Sequence, residues 1–337
     1  MNVNHRIYSI LTLSLLIGWM VSAPHAAPKE IHSKHWIFGY PLGAPESSDL
    51  VIRDIYALSS NDTTKIADWV AYQLDQDTVT ERFSTSRSWK ADPWLDPEET
   101  LEPDPDDYKG AHDAHAYTRG HLAPLADFRG SPLWRETNYY SNITPQRNEI
   151  NSGLINQQEM HVRNFVQAGG IVWVMTGPLF ETPMPKLPQA DEAHQVPSGY
   201  WKIIAQGQLS APEAVRAVAF IFPQDPPDGA QLADMIKTID EVERRSELDF
   251  FWELPDNVEA TLESQTGQWP LQAISVQPPG SDSDVPGDVM VIGNRNSRVY
   301  HLRGCPGFNQ VSEANRVIFP SEAAAQAEGF RRAGNCP

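Results

Sequence analysis

Long apolar runs are absent from the sequence outside its N-terminus. The single N-terminal run, residues 10–21, follows Arg6 and precedes small residues that end at Ala26 and Ala27. This order is typical of a signal peptide, and the run is too short to span a bilayer comfortably. We therefore predict a leader over residues 1–26 and a secreted or periplasmic product without a membrane domain. A retained anchor is the alternative.

Cysteine is almost absent, since the chain carries only Cys305 and Cys336. Two thiols exclude a disulfide-rich scaffold and a four-cysteine zinc site. In an exported protein an isolated pair is typical of a disulfide. A metal site that adds His301 to the two thiols is the alternative, but it has one ligand fewer than the usual four, so the disulfide is favoured.

Basic residues are scarce relative to acidic ones. Lys and Arg number 26 against 44 Asp and Glu, which gives a net charge of −18 at pH 7. Tight binding along nucleic acid depends on many neutralised phosphates. The composition therefore excludes a long basic footprint, but it allows an enzyme that needs only a local positive site and must release its product.

The distribution of apolar residues predicts an α+β fold, because strands and helices do not alternate as a parallel sheet requires. Strand candidates are residues 51–58, 69–74, 171–176, 200–204 and 214–222, and helix candidates are residues 151–166 and 232–248. The first helix should end at Gly169 and Gly170. The Pro- and acid-rich residues 92–107 are predicted to form a surface loop.

A stretch rich in Pro, Gly, Ser and Asp, residues 278–288, interrupts this pattern. Its composition is typical of a linker. We therefore predict one large domain over residues 27–277 and a small module over residues 289–337. A module of this size usually needs a cross-link, which again favours the disulfide.

Polar residues suited to phosphodiester hydrolysis cluster in the middle of the chain. They are residues 118–124 (TRGHLAP), residues 141–146 (SNITPQ), Asn151, Glu159 and Arg163. This reaction needs a base for water, a cation at the leaving oxygen and donors for the charge on phosphorus. Histidine titrates near neutrality, an amide oxygen can hold hydrated Mg²⁺, and arginine binds phosphate.

Each of these residues also has a simpler explanation. A single histidine is more often a satisfied structural side chain. Asn151 begins a predicted helix and would serve as its N-cap. Glu159 and Arg163 are four residues apart and could form a surface pair worth a few tenths of a kcal/mol. Taken singly, the residues indicate no more than a hydrolase.

The order and spacing of these segments resemble a known family. Residues 118–121 match an Asp-Arg-Gly-His motif except at Thr118, and residues 142–146 match Asn-Ile-Thr-Pro-Gln without change. Asn151 and the helix pair follow at the family's spacing, and Arg87 precedes them in Arg-Ser-Trp-Lys. The family is that of the DNA/RNA non-specific endonucleases, which carry a ββα-metal (His-Me finger) motif. The resemblance extends over about residues 39–262.

The resemblance implies a central antiparallel sheet with flanking helices, and a metal-dependent nuclease. His121 would be the general base, Asn151 would hold Mg²⁺ (or Mn²⁺), and cleavage of DNA and RNA would leave 5′-phosphate ends with little sequence preference. A homodimer is left open. Five further side chains would support the reaction: Arg87 and Arg119 against developing charge, Glu159 on water around the metal, Asn142 as an orienting group, and Arg163 together with Arg87 on substrate.

The departure at Thr118 removes a carboxylate near the implied metal. It motivates a second hypothesis, a catalytically weak extracellular relative that binds nucleic acid without cutting it. A third hypothesis is a hydrolase of small phosphodiesters. The C-terminal module loosely resembles a metal-binding domain of a DNA-repair protein, but it lacks that domain's four cysteines, so no zinc site is predicted. Its arginines allow an auxiliary nucleic-acid contact, but a module that only stabilises or anchors the chain is favoured. The arginines are Arg295, Arg298, Arg303 and Arg316.

Overall fold

The computed structural model describes residues 28–272 and 291–302, and then residues 305, 307–312, 315–319, 322–334 and 336. The predicted leader and the predicted linker lie outside the described residues. The chain divides into two compact units, residues 1–274 and 275–337, and each is described by itself. Within the described residues, none of the helices is long and apolar enough to cross a membrane.

The first unit contains strands and short helices in mixed order. Its strands are β1 (Asp49–Ile52), β2 (Ala57–Ser60), β3 (Trp69–Leu74), β4 (Tyr117–His121), β5 (Ile143–Arg147), β6 (Val172–Leu179), β7 (Gly199–Gln206), β8 (Arg216–Pro223) and β9 (Ile236–Lys237). Its α-helices are α1 (Gln76–Val79), α2 (Ala111–His115), α3 (Asn148–Ile150), α4 (Asn156–Gln167), α5 (Ile239–Ser246) and α6 (Asp256–Glu263). Short 3-10 helices lie at Pro97–Glu99, Leu125–Phe128, Trp134–Asn138, Tyr140–Asn142, Pro212–Ala214 and Leu232–Met235.

Seven of these strands form one sheet in the order β1-β2-β3-β6-β7-β8-β9, and every neighbouring pair is antiparallel. Because successive side chains point to opposite faces, β7 places Tyr200 and Ile204 in one core and Trp201 and Ile203 in a second. Helix α4 packs into the first core and α5 into the second. The predicted α+β class, a central antiparallel sheet with flanking helices, is confirmed.

Strands β4 and β5 form a separate two-stranded antiparallel sheet. Thr118 lies opposite Gln146, and His121 lies opposite Ile143. Helix α3 begins at Asn148, immediately after β5. The two strands and the helical run that follows them therefore have the ββα arrangement that the motif requires.

The helical run after β5 is predicted correctly in type but begins earlier than expected. Its N-cap is Arg147, and α3 continues through a π-helical turn, Asn151–Ile155, into α4. Gly153 within the turn departs from helical angles, with φ −97° and ψ −109°. Such π-helical turns are frequent at functional sites. Asn151 has helical angles, φ −63° and ψ −50°, so the hypothesis that it is an N-cap is wrong.

Two other expectations for the secondary structure are corrected. Residues 51–58 form parts of two strands, with a turn in which the backbone N–H of Arg53 donates to the carbonyl of Tyr56. Residues 232–248 do not form one helix, because Thr238 caps a new helix by accepting from the Glu241 N–H. Side-chain oxygens at such positions satisfy backbone donors that helix starts leave free.

The second unit is built on a four-stranded sheet in the order β12-β10-β11-β13. Its strands are β10 (Val291–Asn294), β11 (Val299–Leu302), β12 (Arg316–Phe319) and β13 (Arg331–Arg332), accompanied by α7 (Glu322–Ala327) and a 3-10 helix (Phe308–Gln310). The core is small and centres on Val291, Tyr300, Phe319, Ala325 and Phe330. The predicted disulfide between Cys305 and Cys336 is present, so the hypothesis of a metal site on both thiols is wrong.

Removing the disulfide should destabilise the second unit strongly. The bond joins residues 31 apart in the sequence, and closing a loop of that length contributes about 3–4 kcal/mol by restricting the unfolded chain. We expect the Cys305→Ser/Cys336→Ser variant to lose about that much free energy of unfolding in this unit, measured by denaturant titration. Reductant should reproduce the effect in the wild type and have none on the variant. Equal stability of the oxidised and reduced wild type would contradict this expectation.

Candidate active site

His121 ends β4, half-buried, and its ring orientation is set by Asn138. The Nδ2 of Asn138 donates to the carbonyl of Ser86 at 3.1 Å, so its Oδ1 faces the Nε2 of His121 at 3.2 Å. An amide oxygen only accepts hydrogen bonds, so Nε2 carries the ring proton. In the neutral ring Nδ1 is then the basic nitrogen, and it has no hydrogen-bond partner among the described residues.

The surroundings of His121 favour its neutral form. Burial lowers the pKa of His121 to about 4, the hydrogen bond with Asn138 partly opposes the shift, and the positive charge of Arg87 lowers the pKa further. The imidazole is therefore a free base at neutral pH, which is the state that a proton acceptor requires. Arg87 itself is exposed, and within the described part of the chain its guanidinium has no ion pair.

Asn142 holds the backbone that follows His121. Its side chain is fully buried, and Nδ2 donates to the carbonyls of Ala123 and Thr137 at 3.0 and 2.9 Å. Its Oδ1 accepts from the Ala123 N–H at 2.8 Å. Because all of these contacts are made to backbone and the side chain is not exposed, Asn142 fixes the chain at the end of β4 and does not itself face a ligand.

Arg119 lies two residues before His121, on the same face of β4. It forms an ion pair with Asp106, and its Nε donates to the hydroxyl of Tyr140 at 2.9 Å. Trp89 packs against both the His121 ring, at 5.4 Å between centroids, and Tyr140. The charge of Arg119 is thus paired with Asp106, and the side chains of Trp89, Tyr140 and Arg119 pack together beside the imidazole.

Asn151 is tied to β4 through Thr118. The Thr118 hydroxyl donates to the carbonyl of Gln146 at 3.0 Å and lies 2.8 Å from Nδ2 of Asn151. Since its only proton points to Gln146, the hydroxyl must accept from Asn151. The amide nitrogen therefore faces Thr118, and Oδ1 is turned away with no hydrogen-bond donor to it among the described residues.

Glu159 lies on α4 within a network of charges. It accepts from Nζ of Lys202 at 3.0 Å, and Arg163 lies 4.0 Å away on the next turn. Arg163 also pairs with Asp127 at 2.6 Å. Burial raises the pKa of Asp127 to about 6, the charge of Arg163 opposes the shift, and the charge of Glu159 adds to it. The network fixes Glu159, and the Arg163 side chain is only 16% exposed.

The predicted site residues thus fall into three connected groups. His121, Arg87, Arg119 and Asn142 lie at or beside the end of β4. Asn151 touches the same strand at Thr118, and the pair Glu159 and Arg163 lies further along the helix that begins at Asn148. The predicted contact of Arg163 with substrate remains a prediction, because its guanidinium is already shared between two carboxylates.

The donor set at Asn151 fits a hard divalent cation. Its free amide oxygen, with the Glu159 carboxylate on the same helical run, offers the oxygen ligands and water acceptors that Mg²⁺ prefers. Within the described ranges, three groups of carboxylates lie close enough to share a cation, and none of them contains a predicted site residue. The cation of the predicted reaction would therefore depend on Asn151 and water, and this assignment stays a prediction.

Three residues of this site were missed by sequence reasoning. Asn138 and Asp127 lie in segments without a motif, and their partners are distant in the sequence, so no local signal marks them. Lys202 did carry a signal. It is the one charged residue in a strand whose residues are all buried, and a buried charge requires a partner.

Comparisons with known proteins match most of the first unit. A family model described as DNA/RNA non-specific endonuclease matches residues 37–257. The chain is 41% identical over 234 residues to a nuclease of Serratia marcescens, covering 69% of this chain and 85% of that protein. It is 30% identical over 230 residues to the mitochondrial nuclease EXOG of Xenopus laevis, covering 64% of this chain and 61% of that protein.

A solved structure shares the fold. The EndoG/EndoGI complex, described as showing the mechanism of EndoG inhibition, contains a chain that matches with a TM-score of 0.53 and 21% sequence identity. The match covers 65% of this chain and 90% of that chain. At this level of identity the likeness establishes the architecture alone.

Proposed function

Because this chain belongs to the DNA/RNA non-specific endonuclease family, we propose that it is an exported enzyme that hydrolyses DNA and RNA with the help of Mg²⁺. The products would carry 5′-phosphate ends. The observation that carries the proposal is that one strand, β4, supports both the proposed base and the proposed metal ligand. The free base at His121 and the free amide oxygen at Asn151 are both anchored to β4, the first directly and the second through Thr118.

The proton transfer is assigned to His121. Its Nδ1 accepts a proton from the attacking water while Nε2–H stays on Asn138, so the ring keeps its orientation as it becomes charged. Asn142 holds the end of the strand in place. The packed side chains of Trp89, Tyr140 and Arg119 hold the imidazole ring. A base held in one orientation loses little entropy in the reaction.

The phosphate is assigned to Arg87 and to the metal. Arg87 is exposed beside His121 and has a charge that no described carboxylate neutralises, so it can offset charge on phosphorus. Asn151 would hold Mg²⁺ through Oδ1, and Glu159 can accept hydrogen bonds from water around it. When bound, Mg²⁺ would stabilise the charge on the leaving oxygen.

The spacing of the two anchors leaves room for these partners. A strand rises about 3.3 Å per residue, so Thr118 and His121 lie roughly 10 Å apart along β4 with their side chains on opposite faces, and the helical run after β5 would carry the Asn151 amide to the side of His121. A hydrated cation and a phosphate group fit within that length. Contacts of this kind go to phosphate and not to base edges, which supports low sequence preference and the acceptance of both DNA and RNA.

Export is proposed from two features. The first is the leader pattern over residues 1–26. The second is the disulfide of the second unit, since such bonds persist in oxidising compartments.

The proposal is tested by nicking of supercoiled plasmid and by degradation of an RNA of matched length. We expect both reactions in Mg²⁺, neither in EDTA, and recovery when Mg²⁺ is restored. Binding of plasmid without metal-dependent nicking would instead support the catalytically weak relative. Turnover of a dinucleotide analogue without any cleavage of polymer would support the hydrolase of small phosphodiesters.

Thr118 should control the affinity of the site for metal. Thr118→Val removes the acceptor that turns the Asn151 amide, and loss of such a supporting contact typically costs about 10–100-fold in metal affinity or activity. We expect the Mg²⁺ concentration for half-maximal cleavage to rise by about 10-fold. Thr118→Ser keeps the hydroxyl and is the matched control. Equal Mg²⁺ dependence of Thr118→Val and Thr118→Ser would show that the hydroxyl does not position Asn151.

The pH dependence of the reaction should reflect the lowered pKa of His121. The group is required as a free base, so kcat/KM should be level through neutral pH and fall only as the pH approaches about 4. Arg87 lowers this pKa, so Arg87→Gln should move the acid limb to higher pH as well as slow the reaction. A pH profile at saturating Mg²⁺ measures both. An acid limb at the ordinary histidine pKa in the wild type would show that the pKa of His121 is not lowered in the enzyme.

A further inference from the structure

One end of the sheet in the second unit collects arginines from separate segments of the chain. Strand β10 ends at Asn294, which lies opposite both Arg316 and Val299. Val299 in turn lies beside Arg331. The residues at this end of the four strands, named here the arginine edge, are Arg295, Arg298, Arg316 and Arg331.

Among the described residues, no carboxylate neutralises the charges of the arginine edge. Arg298 is held by the carbonyl of Glu328 at 3.1 Å and by the ring of Phe330, and Arg316 donates to the carbonyl of Val311 at 2.9 Å. These partners orient a guanidinium without cancelling its charge. Within the described residues, none of the four arginines forms an ion pair with a carboxylate.

The edge is also accessible and lies in a locally basic part of the chain. Arg295, Arg298 and Arg331 are exposed, and Arg316 is half-buried. Residues 291–337 contain six arginines, three glutamates and no aspartate or lysine, although the whole chain has a net charge of −18. Since like charges held together repel, a grouping of this kind indicates an anionic partner.

The dimensions of the edge fit a polymer of phosphates better than a single anion. Neighbouring strands lie about 4.8 Å apart, so four strands spread the arginines over roughly 15 Å. One strand of duplex DNA presents a phosphate about every 3.4 Å along the axis, so this span meets several of them. Asn296 and Ser297 are exposed in the same turn and add hydrogen-bond donors for phosphate oxygens.

An anionic membrane surface is the other large anionic partner, and the surface of this unit does not favour it. Binding in the plane of a membrane normally requires exposed apolar side chains that enter the lipid. The exposed large apolar side chains of the described chain all lie in the first unit: Leu50, Ile52, Phe83, Trp94, Met160, Ile171 and Leu209.

We propose that the arginine edge binds the phosphate backbone of nucleic acid and tethers an otherwise acidic nuclease to long substrates. The use of the tether rests on the proposed function, but the binding itself does not. An acidic chain loses affinity for polymer through its overall charge, and a small basic surface restores contact without a long footprint at the active site. Failure of binding by the arginine edge and failure of the proposed function can therefore be distinguished by experiment.

Binding is measured on the full chain with His121→Ala in EDTA, so that a labelled linear duplex stays intact. The edge variant is Arg295→Gln/Arg331→Gln, whose two side chains have no partner among the described residues. The control is Arg216→Gln/Arg244→Gln, which removes the same charge from exposed positions of the first unit. Each phosphate contact contributes about 0.9 to the slope of log K against log salt. We expect the magnitude of this slope to fall by about 2 in the edge variant and to stay unchanged in the control.

A second pair of measurements separates the possible partners. In the active background, the edge variant should cleave long DNA more slowly at moderate salt and turn over a dinucleotide analogue at the wild-type rate. Equal salt slopes for the parent, the edge variant and the control would overturn the proposal. So would binding that depends on the edge arginines for vesicles of phosphatidylglycerol but not for DNA. A reduced slope in a chain that never cleaves polymer would support the tether and refute the proposed function.

Discussion

His121→Ala should lower kcat on plasmid DNA by about 10²–10⁴-fold, the usual contribution of a positioned general base. The imidazole is held neutral by burial and by Arg87, and its Nδ1 is the basic nitrogen because Nε2–H is directed at Asn138. Alanine removes the proton acceptor and leaves the metal ligand in place. KM should therefore change little, since the lost interaction acts in the transition state and not on bound substrate.

The matched control for this variant is His112→Ala. His112 is exposed in α2, five residues before Tyr117 and β4, and we expect its replacement to leave kcat unchanged. Circular dichroism would check that both variants fold. A His121→Ala enzyme with kcat within a few-fold of the wild type would remove the proposed base from the mechanism.

Asn151→Ala should reduce Mg²⁺-dependent cleavage by at least about 100-fold. Loss of groups that merely support a metal ligand already costs about 10–100-fold, and here the ligand itself is removed. The residual activity should require a much higher Mg²⁺ concentration, which a titration of nicking rate against Mg²⁺ would measure. Asn151→Asp keeps an oxygen at the same place and should retain more activity than alanine.

Asn156→Ala is the control on the same helical run. Asn156 is exposed at the start of α4, so its side chain can be removed without touching the proposed ligand. We expect wild-type Mg²⁺ dependence from it. If the nicking rates of Asn151→Ala and Asn156→Ala depended on Mg²⁺ concentration in the same way, the assignment of Asn151 as the metal anchor would be wrong.

Features set by local sequence were predictable. Residues 69–74 carry β-branched and aromatic side chains, and they form β3 with the expected bounds. Gly169 ends the long helix with φ +100°, a conformation that glycine adopts without strain. The disulfide followed from a lone cysteine pair in a small module.

Features set by distant partners were not predictable. The apolar run at residues 51–58 breaks because Arg53 turns inward to a buried ion pair with Asp92, 39 residues away. The same pair explains why the acid-rich segment that begins at Asp92 is not wholly on the surface, since Asp92 and Asp107 are buried. Local propensity contains no information about such pairs, and tertiary contacts override it.

The active site also has features set by local sequence and features set by distant partners. Its named residues lie in short motifs with fixed spacing, and the resemblance could identify them. What sets their chemistry lies elsewhere: Asn138 selects the tautomer of His121, and Lys202 from β7 holds Glu159 across 43 residues. Thr118 acts as the acceptor for Asn151 because its hydroxyl donates its proton to the carbonyl of Gln146, a residue of the neighbouring strand.

The proximity of the proposed base to the proposed metal is measured most directly by paramagnetic broadening. Mn²⁺ added to the labelled protein should broaden the ring signals of His121, identified by their absence in His121→Gln, and Asn151→Ala should abolish the broadening at the same Mn²⁺ concentration. The signals of His112 should stay sharp throughout. Sharp His121 signals in the presence of bound Mn²⁺, or broadening that persists in Asn151→Ala, would show that the two groups do not serve one phosphate.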